Sequence, residues 1–370
     1  MEQLRNKRII ISGGGTGGHI FPAISVANAL RRIEPGTDIL FVGAEGRMEM
    51  EKVPAAGYRI RALPVSGFYR QITFRNFSVL LRLIRSLSMA KRIIREFRPD
   101  VALGVGGFAS GPVMWKAAGM GIPVVIQEQN SYAGVTNRLL AKRASAICVA
   151  YDGMEKYFPR DKIIKTGNPV RHSFDNSGVL KNEALEYFGF SREKQVVLVL
   201  GGSLGAGTIN KTLGGALDRM AGSGLQWLWQ TGMNYYEDVK SLAADSLAET
   251  IAIHGFIDRM DYAFAAADII VSRAGAGTIS ELCLVGKPVI LVPSPNVAED
   301  HQTRNAEALS GNGAAILIAD SQAEKKLIDE VIRLSLDTSG KAGLSENIRK
   351  MAERDSDIRI ANEVLKLAGT

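Results

Sequence analysis

The sequence predicts an α/β protein made of two Rossmann-like, doubly wound parallel-sheet domains, and three observations predict it. At 370 residues the chain exceeds what one hydrophobic core usually organises, so two domains are the natural division. Short β-rich apolar runs alternate with helical segments nearly end to end, as in sheets assembled from βαβ units. Glycine clusters follow strands at four places: "GGGTGGH" at 13–19, "GVGGFASGP" at 104–112, "GGSLGAG" at 201–207 and "RAGAGTISE" at 273–281. A doubly wound sheet turns from strand to helix at such points, and ligands of open α/β sheets bind there.

In order, the first half offers the strands "KRIIIS" (7–12), "DILFVG" (38–43), "YRIRAL" (58–63), "DVALGV" (100–105), "IPVVIQ" (122–127) and "SAICVA" (145–150). A second series runs through "KQVVLVLGG" (194–202), "LQWLWQTG" (225–232), "TIAIHG" (250–255), "ADIIVS" (267–272), "KPVILVP" (287–293) and "GAAILI" (313–318). Between them "KTGNPVRHSFDNSG" (165–178) loses all helical period and carries Gly167, Pro169 and Gly178, the marks of a hinge. The segment 348–369 has helical spacing at Ile348, Met351, Ile358, Ala361, Val364 and Leu365 and suits packing on either domain.

Apolar residues make up 46% and charged residues 22%, the balance of a soluble globular protein. The most apolar stretch, Val101 to Ile126, is broken by Lys116, glycines and prolines, unlike a membrane span. Only Ile9, Ile10 and Ile11 separate the basic start from the glycines, too few for a signal peptide, so a cytoplasmic chain is expected. The two cysteines, Cys148 and Cys283, lack the spacing of a disulfide framework or a metal site. A net charge of +7 calls for an anionic partner: nucleic acid, a phosphate-bearing ligand or an acidic membrane surface. No aromatic-basic recognition motif supports nucleic acid.

Residues 67–98 carry Arg70, Arg75, Arg82, Arg85, Lys91, Arg92, Arg95 and Arg98 against one acid, Glu96. At 100° per residue Leu80, Leu83, Ile84, Leu87, Ile94 and Phe97 form a core stripe, leaving Leu81 and Met89 among the arginines. Such a face suits shallow insertion beside anionic headgroups, or a solvated basic helix.

Each glycine loop can direct backbone N–H groups at an anion beside a helix N-terminus, or simply make a tight turn. Gly13, Gly15 and Gly18 match G-x-G-x-x-G, but the second strand has Asp38 at its start and Glu45 beyond its end. Neither is placed to hold an adenosine ribose, so a dinucleotide site is poorly supported. No glycine loop continues into Lys-Ser or Lys-Thr, which excludes a P-loop.

His19 stands where the first loop enters its helix, since Pro22 suits a first helical turn. It fits either a general base near neutral pH or a polar cap. Glu128, Asn130 and Asn137 follow the fifth strand, where they would face a ligand; amides suit hydroxyl-rich molecules. Arg171 in the hinge fits a phosphate clamp or a solvated surface. "TISE" reads as a capping box that ties Glu281 to Thr278, or Glu281 accepts from ribose hydroxyls. Glu299, Asp300, His301, Gln302 and Asn305 crowd one loop and helix start, as a sugar site or a well-capped helix would.

Together "GGTGGH", "GVGGFASGP", "QEQNSYAGVTN", "GNPVR", "GGSLGA", "GFIDRM", "RAGAGTISE" and "EDHQTRNA" occur in this order over essentially the whole chain. The set resembles the MurG family of N-acetylglucosaminyltransferases, within glycosyltransferase family 28, which convert lipid I to lipid II in peptidoglycan synthesis. The resemblance implies a GT-B fold with the two domains facing each other across a cleft. An N-terminal domain of 1–168 plus 353–370 would take the acceptor and the membrane, and a C-terminal domain of 169–352 would take UDP-GlcNAc. It implies that Ile257 offers its backbone to uracil, that Glu281 holds the ribose and that Gln302 touches the sugar. Ser203 with Ala276, Gly277, Thr278, Ile279 and Ser280 would hold the donor diphosphate. Arg171, Asn130, Thr16, Gly17 and Gly18 would also line the site, and Gly14, Gly15, Gly106, Gly107 and Ser110 would cradle the acceptor diphosphate. The family often has His before "EQN"; Gln127 stands there in this chain, so that position receives no proton-transfer role.

An inverting displacement follows from an α-linked donor and a β-1,4 product, with His19 as base, no obligatory metal and no cofactor beyond the donor. The "DSD" at 355–357 falls in an amphipathic helix, away from any metal-bound diphosphate. Because the acceptor is a membrane lipid, an anionic membrane surface becomes the partner of Phe68, Phe74, Arg75, Phe77, Leu81, Arg82, Arg85 and Trp115. The resemblance also implies peripheral attachment to the cytoplasmic side of the bacterial plasma membrane and association with other cell-wall synthesis proteins. The rival readings are other GT-B enzymes of UDP-sugars, acting as diacylglycerol galactosyltransferases or UDP-GlcNAc 2-epimerases.

Overall fold

A computed structural model describes residues 6–65, 75–170, 179–202, 205–242, 249–297 and 300–369, with the side chains of 75–80 outside the description. The chain divides into two compact units, Met1–Val170 with Glu353–Thr370, and Arg171–Ala352.

The first unit holds β1 (Arg8–Ser12), β2 (Asp38–Ala44), β3 (Arg59–Leu63), β4 (Val101–Gly104), β5 (Val124–Glu128), β6 (Ala146–Val149) and β7 (Ile163–Lys165). They form one parallel sheet in the order β3-β2-β1-β4-β5-β6-β7. Ile9, Ile10 and Ile11 are all fully buried, because helices cover both faces of a parallel sheet and leave no polar side. β7 was not among the strands expected from sequence. It is a three-residue edge strand, half-exposed, too short to carry an apolar run.

The helices of this unit are α1 (Gly17–Ile33), α2 (Glu49–Ala55), α3 (Arg75–Phe97), α4 (Ser110–Gly119) and α5 (Val135–Leu140). α1 starts earlier than Pro22 suggested. Thr16 is its N-cap and Pro22 lies inside it, so the proline removes the bond that residue 22 would have given to the carbonyl of Gly18. The core face of α3 is also rotated from the expected stripe. Ser86, Ala90, Ile93 and Ile94 are buried and Met89 packs against the core, whereas Ile84 is 58% exposed beside Leu81 at 54%.

The second unit holds β8 (Val196–Leu200), β9 (Gln226–Gln230), β10 (Ile251–His254), β11 (Ile269–Ser272), β12 (Val289–Leu291) and β13 (Ile316–Leu317). Their order, β10-β9-β8-β11-β12-β13, is that of a dinucleotide-type doubly wound sheet. Its helices are α6 (Lys181–Tyr187), α7 (Gly207–Gly214), α8 (Leu217–Ala221), α9 (Tyr236–Leu242), α10 (Met260–Ala266), α11 (Ala276–Val285), α12 (His301–Ser310), α13 (Ala323–Leu336) and α14 (Thr338–Lys350). Trp227 and Trp229 fill its core without exposure. Their indole N–H groups donate to the Met220 carbonyl at 3.3 Å and to Asn210 Oδ1 at 3.0 Å, which removes the cost of burying them.

The segment 348–369 is not one helix. It breaks at Asp355, whose φ is +53°, and α15 (Ser356–Ala368) returns to the first unit, burying Ile360, Ala361, Val364 and Leu365 in the core that α1 shares. Asp357 is spent on Arg32 at 3.0 Å.

Candidate active site

A doubly wound sheet reverses its strand order at one point, and the loops on either side of that point splay apart and leave room for a ligand. In the first unit the reversal lies between β1 and β4, in the second between β8 and β11. The four glycine loops follow these four strands.

At the first switch point the loops 13–15 and 105–107 pack backbone to backbone. Gly107 has φ +82°, and a Cβ there would overlap the carbonyl oxygen of Gly14. A Cβ on Gly106 would come within 2.9 Å of His19 Nε2, so the imidazole edge lies directly over that glycine. His19 Nδ1 is 3.0 Å from Thr16 Oγ1. The N-cap hydroxyl thus orients the ring rather than closing the helix.

Two expected phosphate donors are already committed. Gly15 N–H donates to both oxygens of Glu49, at 3.1 and 3.3 Å, and the Ala44 N–H donates to Glu49 Oε1 at 2.9 Å. Ser110 is fully buried, and its hydroxyl donates to the Gly107 carbonyl at 2.9 Å. Both groups thus hold the two glycine loops in shape.

The segment after β5 is organised by a second buried carboxylate. Glu128, 2% exposed, accepts from the backbone of Asn130 and Gly134, each at 3.0 Å, and from Asn137 Nδ2 at 2.9 Å. Glu128 and Asn137 therefore shape the loop instead of facing a ligand, and Asn130 remains half-buried on it. Gln127 is fully buried. It donates to Asn168 Oδ1 at 2.9 Å and accepts from Gln129, which also donates to the Val105 carbonyl at 2.7 Å. This amide relay links the second glycine loop to residue 168, and a side chain so committed has no proton to exchange.

At the second switch point, α11 begins at Ala276 with Gly275 as N-cap. Thr278 is inside the helix, so "TISE" is not a capping box and Glu281 lies in the second turn, half-buried. Gln302 Oε1 accepts from the N–H groups of Ala274 at 3.3 Å and Ser294 at 2.9 Å. Its oxygen ties two loops together. The Ile257 N–H donates to Gln230 Oε1 at 3.0 Å. The residues 276–280 form the first turn of α11, where helix N–H groups and the helix dipole favour an anion. Arg171, Ser203 and Glu299 lie outside the described residues.

On the first unit, Leu81 and Ile84 project beside exposed Arg82 and Arg85. Trp115 on α4 is 41% exposed, with the Arg143 guanidinium 3.8 Å above its ring. Phe68 and Phe74 lie outside the described residues; Arg75 and Phe77 are in α3, their side chains undescribed.

The Glycosyltransferase family 28 N-terminal domain matches residues 9–149 and the Glycosyltransferase family 28 C-terminal domain matches 196–359. The chain is 57% identical to the UDP-N-acetylglucosamine–N-acetylmuramyl-(pentapeptide) pyrophosphoryl-undecaprenol N-acetylglucosamine transferase of Parabacteroides distasonis, covering 98% of this chain and 99% of that protein. It is 49% identical to the enzyme of the same name from Cytophaga hutchinsonii, over 100% and 99%. The crystal structure of Acinetobacter baumannii MurG superposes with a TM-score of 0.80 at 27% identity, covering 97% of this chain and 99% of that one. UDP-GlcNAc 2-epimerase from Neisseria meningitidis shares the fold, with a TM-score of 0.65 at 15% identity over 97% and 100%. With two switch-point sites, both domain matches and relatives at this identity over nearly its full length, the chain belongs to glycosyltransferase family 28.

Proposed function

We propose that the protein is an inverting glycosyltransferase that moves GlcNAc from UDP-GlcNAc to the 4-hydroxyl of MurNAc in lipid I, giving lipid II and UDP for peptidoglycan synthesis. The observation that carries this reading is the 57% identity to an enzyme of that name over 98% of the chain. Residues 169–352 serve as the donor domain, and residues 1–168 with 353–370 as the acceptor and membrane domain.

The α-linked donor and β-linked product require attack on the anomeric carbon from the face opposite UDP. As the new C–O bond forms, the acceptor hydroxyl gives up its proton to His19. That role requires Nδ1–H to donate to Thr16 Oγ1, 3.0 Å away, which leaves the Nε2 lone pair as the base. Charge developing on UDP is met by the N–H groups at the start of α11 and by Arg171, without an obligatory metal. Glu281 holds the ribose, the Ile257 backbone the base and Gln302 Nε2 the sugar. Among the described residues no helix is long and apolar enough to cross a membrane. Leu81, Ile84 and Trp115 with their basic neighbours support peripheral binding to the cytoplasmic face of the plasma membrane.

Radiolabelled UDP-GlcNAc and a lipid I analogue test the reading. Wild-type protein is expected to label the lipid, and His19→Ala and Glu281→Ala to do so far more slowly. A wild type that labels no lipid, or that instead converts UDP-GlcNAc into an epimer, rejects the function; full turnover by His19→Ala rejects only the base.

A further inference from the structure

The glycines of the first loop make room for an anion that the chain itself supplies. Glu49 has no solvent exposure, and its carboxylate accepts only backbone N–H groups among the described residues, those of Gly15 and Ala44. A Cβ on Gly14 would overlap its Oε1, and a Cβ on Gly43 would lie 2.5 Å from its Cγ. Gly15, at φ +88°, turns its N–H inward to the carboxylate. Gly14 and Gly15 of the first loop and Gly43 of β2 thus form a slot around one buried carboxylate that meets no cation among the described residues.

Burying a carboxylate without a counterion is costly, and its backbone hydrogen bonds are what offset that cost. What it holds is the residue next to Thr16. Thr16 in turn caps α1 through its carbonyl, which accepts the His19 N–H at 3.1 Å, and orients the His19 ring through its hydroxyl. We propose that Glu49 is a positioning residue for the reaction: its carboxylate fixes the Gly14–Gly15 turn and, through Thr16, the imidazole that takes the acceptor's proton. The first glycine loop is then a mount for the base. This rests on His19 being the base.

The test is a double-mutant cycle of Glu49→Gln and His19→Ala, with lipid I analogue turnover as readout and UDP binding by calorimetry as control. Displacing a catalytic group by about 1 Å costs on the order of a hundredfold in rate. Glu49→Gln is therefore expected to lower kcat by roughly 10- to 100-fold, to leave UDP affinity and the KM for UDP-GlcNAc unchanged, and to have no further effect in the His19→Ala background. Equal losses in both backgrounds, or no loss with His19 present, overturn the proposal. An unimpaired His19→Ala removes the base and this proposal together, whereas an impaired His19→Ala with additive Glu49→Gln removes Glu49's role alone. If Glu49→Gln does not fold, Glu49→Asp keeps the charge, draws it back by one methylene and is run through the same cycle. Failure of both to fold makes Glu49 structural and overturns the proposal.

Discussion

Gly107 shows how much the first switch point depends on an absent methyl group. Its φ of +82° already disfavours any other residue, and a Cβ would strike the Gly14 backbone, which has nowhere to go. Gly46 has φ +69° but open space around it, so Gly46→Ala should cost only the backbone strain, about 1–2 kcal/mol. Gly107→Ala is expected to cost clearly more and to abolish turnover; urea midpoints and the lipid assay compare the two. Burial pushes both thiols up, Cys148 and Cys283 each from 9.0 to about 12. Between those values the unfolded chain has lost protons that the folded chain keeps, so stability falls as pH rises. Each thiol is expected to remove about 1.4 kcal/mol per pH unit above 9. The fall in urea midpoint from pH 8 to pH 10 should be smaller in a Cys148→Ala, Cys283→Ala variant. Single residues were the least legible scale. His19 was visible because it directly follows a glycine run at a helix start, whereas Glu49 meets a loop 34 positions away, a pairing that nothing in "GRMEMEKVP" signals.

Elements were read well where burial is two-sided. Apolar runs marked the strands of the second sheet, from the Val and Leu of β8 to the tryptophans of β9, while β7 is too short and too exposed to stand out. Helix faces were harder. The buried side of α3 includes Ser86 and Ala90, small residues that allow close packing but contribute little to an apolar stripe, so the expected stripe took in Ile84 and left out Met89. The corrected face puts Ile84 in place of Met89, so that Leu81 and Ile84 are the exposed aliphatic side chains beside Arg82 and Arg85, a closer pair for entering a headgroup layer. Leu81→Ser with Ile84→Ser is expected to weaken binding to anionic vesicles several-fold at unchanged thermal stability. Arg82→Glu with Arg85→Glu should weaken it further and in a salt-dependent way. Flotation at two ionic strengths measures both, and equal flotation by wild type and all variants would reject α3 as the contact.

For the whole molecule, the two units carry separate cores. The second contains its own sheet and the Trp227–Trp229 core, so residues 171–352 expressed alone are expected to fold cooperatively and bind UDP in calorimetry. Residues 1–170 alone should not fold, because Ile360, Ala361, Val364 and Leu365 of α15 complete the core around α1; adding α15 as a separate peptide is expected to restore helical signal. The return of α15 has a further consequence for synthesis. Domains usually finish folding in the order in which the ribosome makes them, but here the unit begun first lacks a wall until the whole of the second has been made. At about 5–20 residues per second the delay is on the order of ten seconds or more. For that interval the basic, apolar-tipped α3 belongs to an unfinished unit, so the membrane binding proposed for it is expected only after the second unit has left the ribosome.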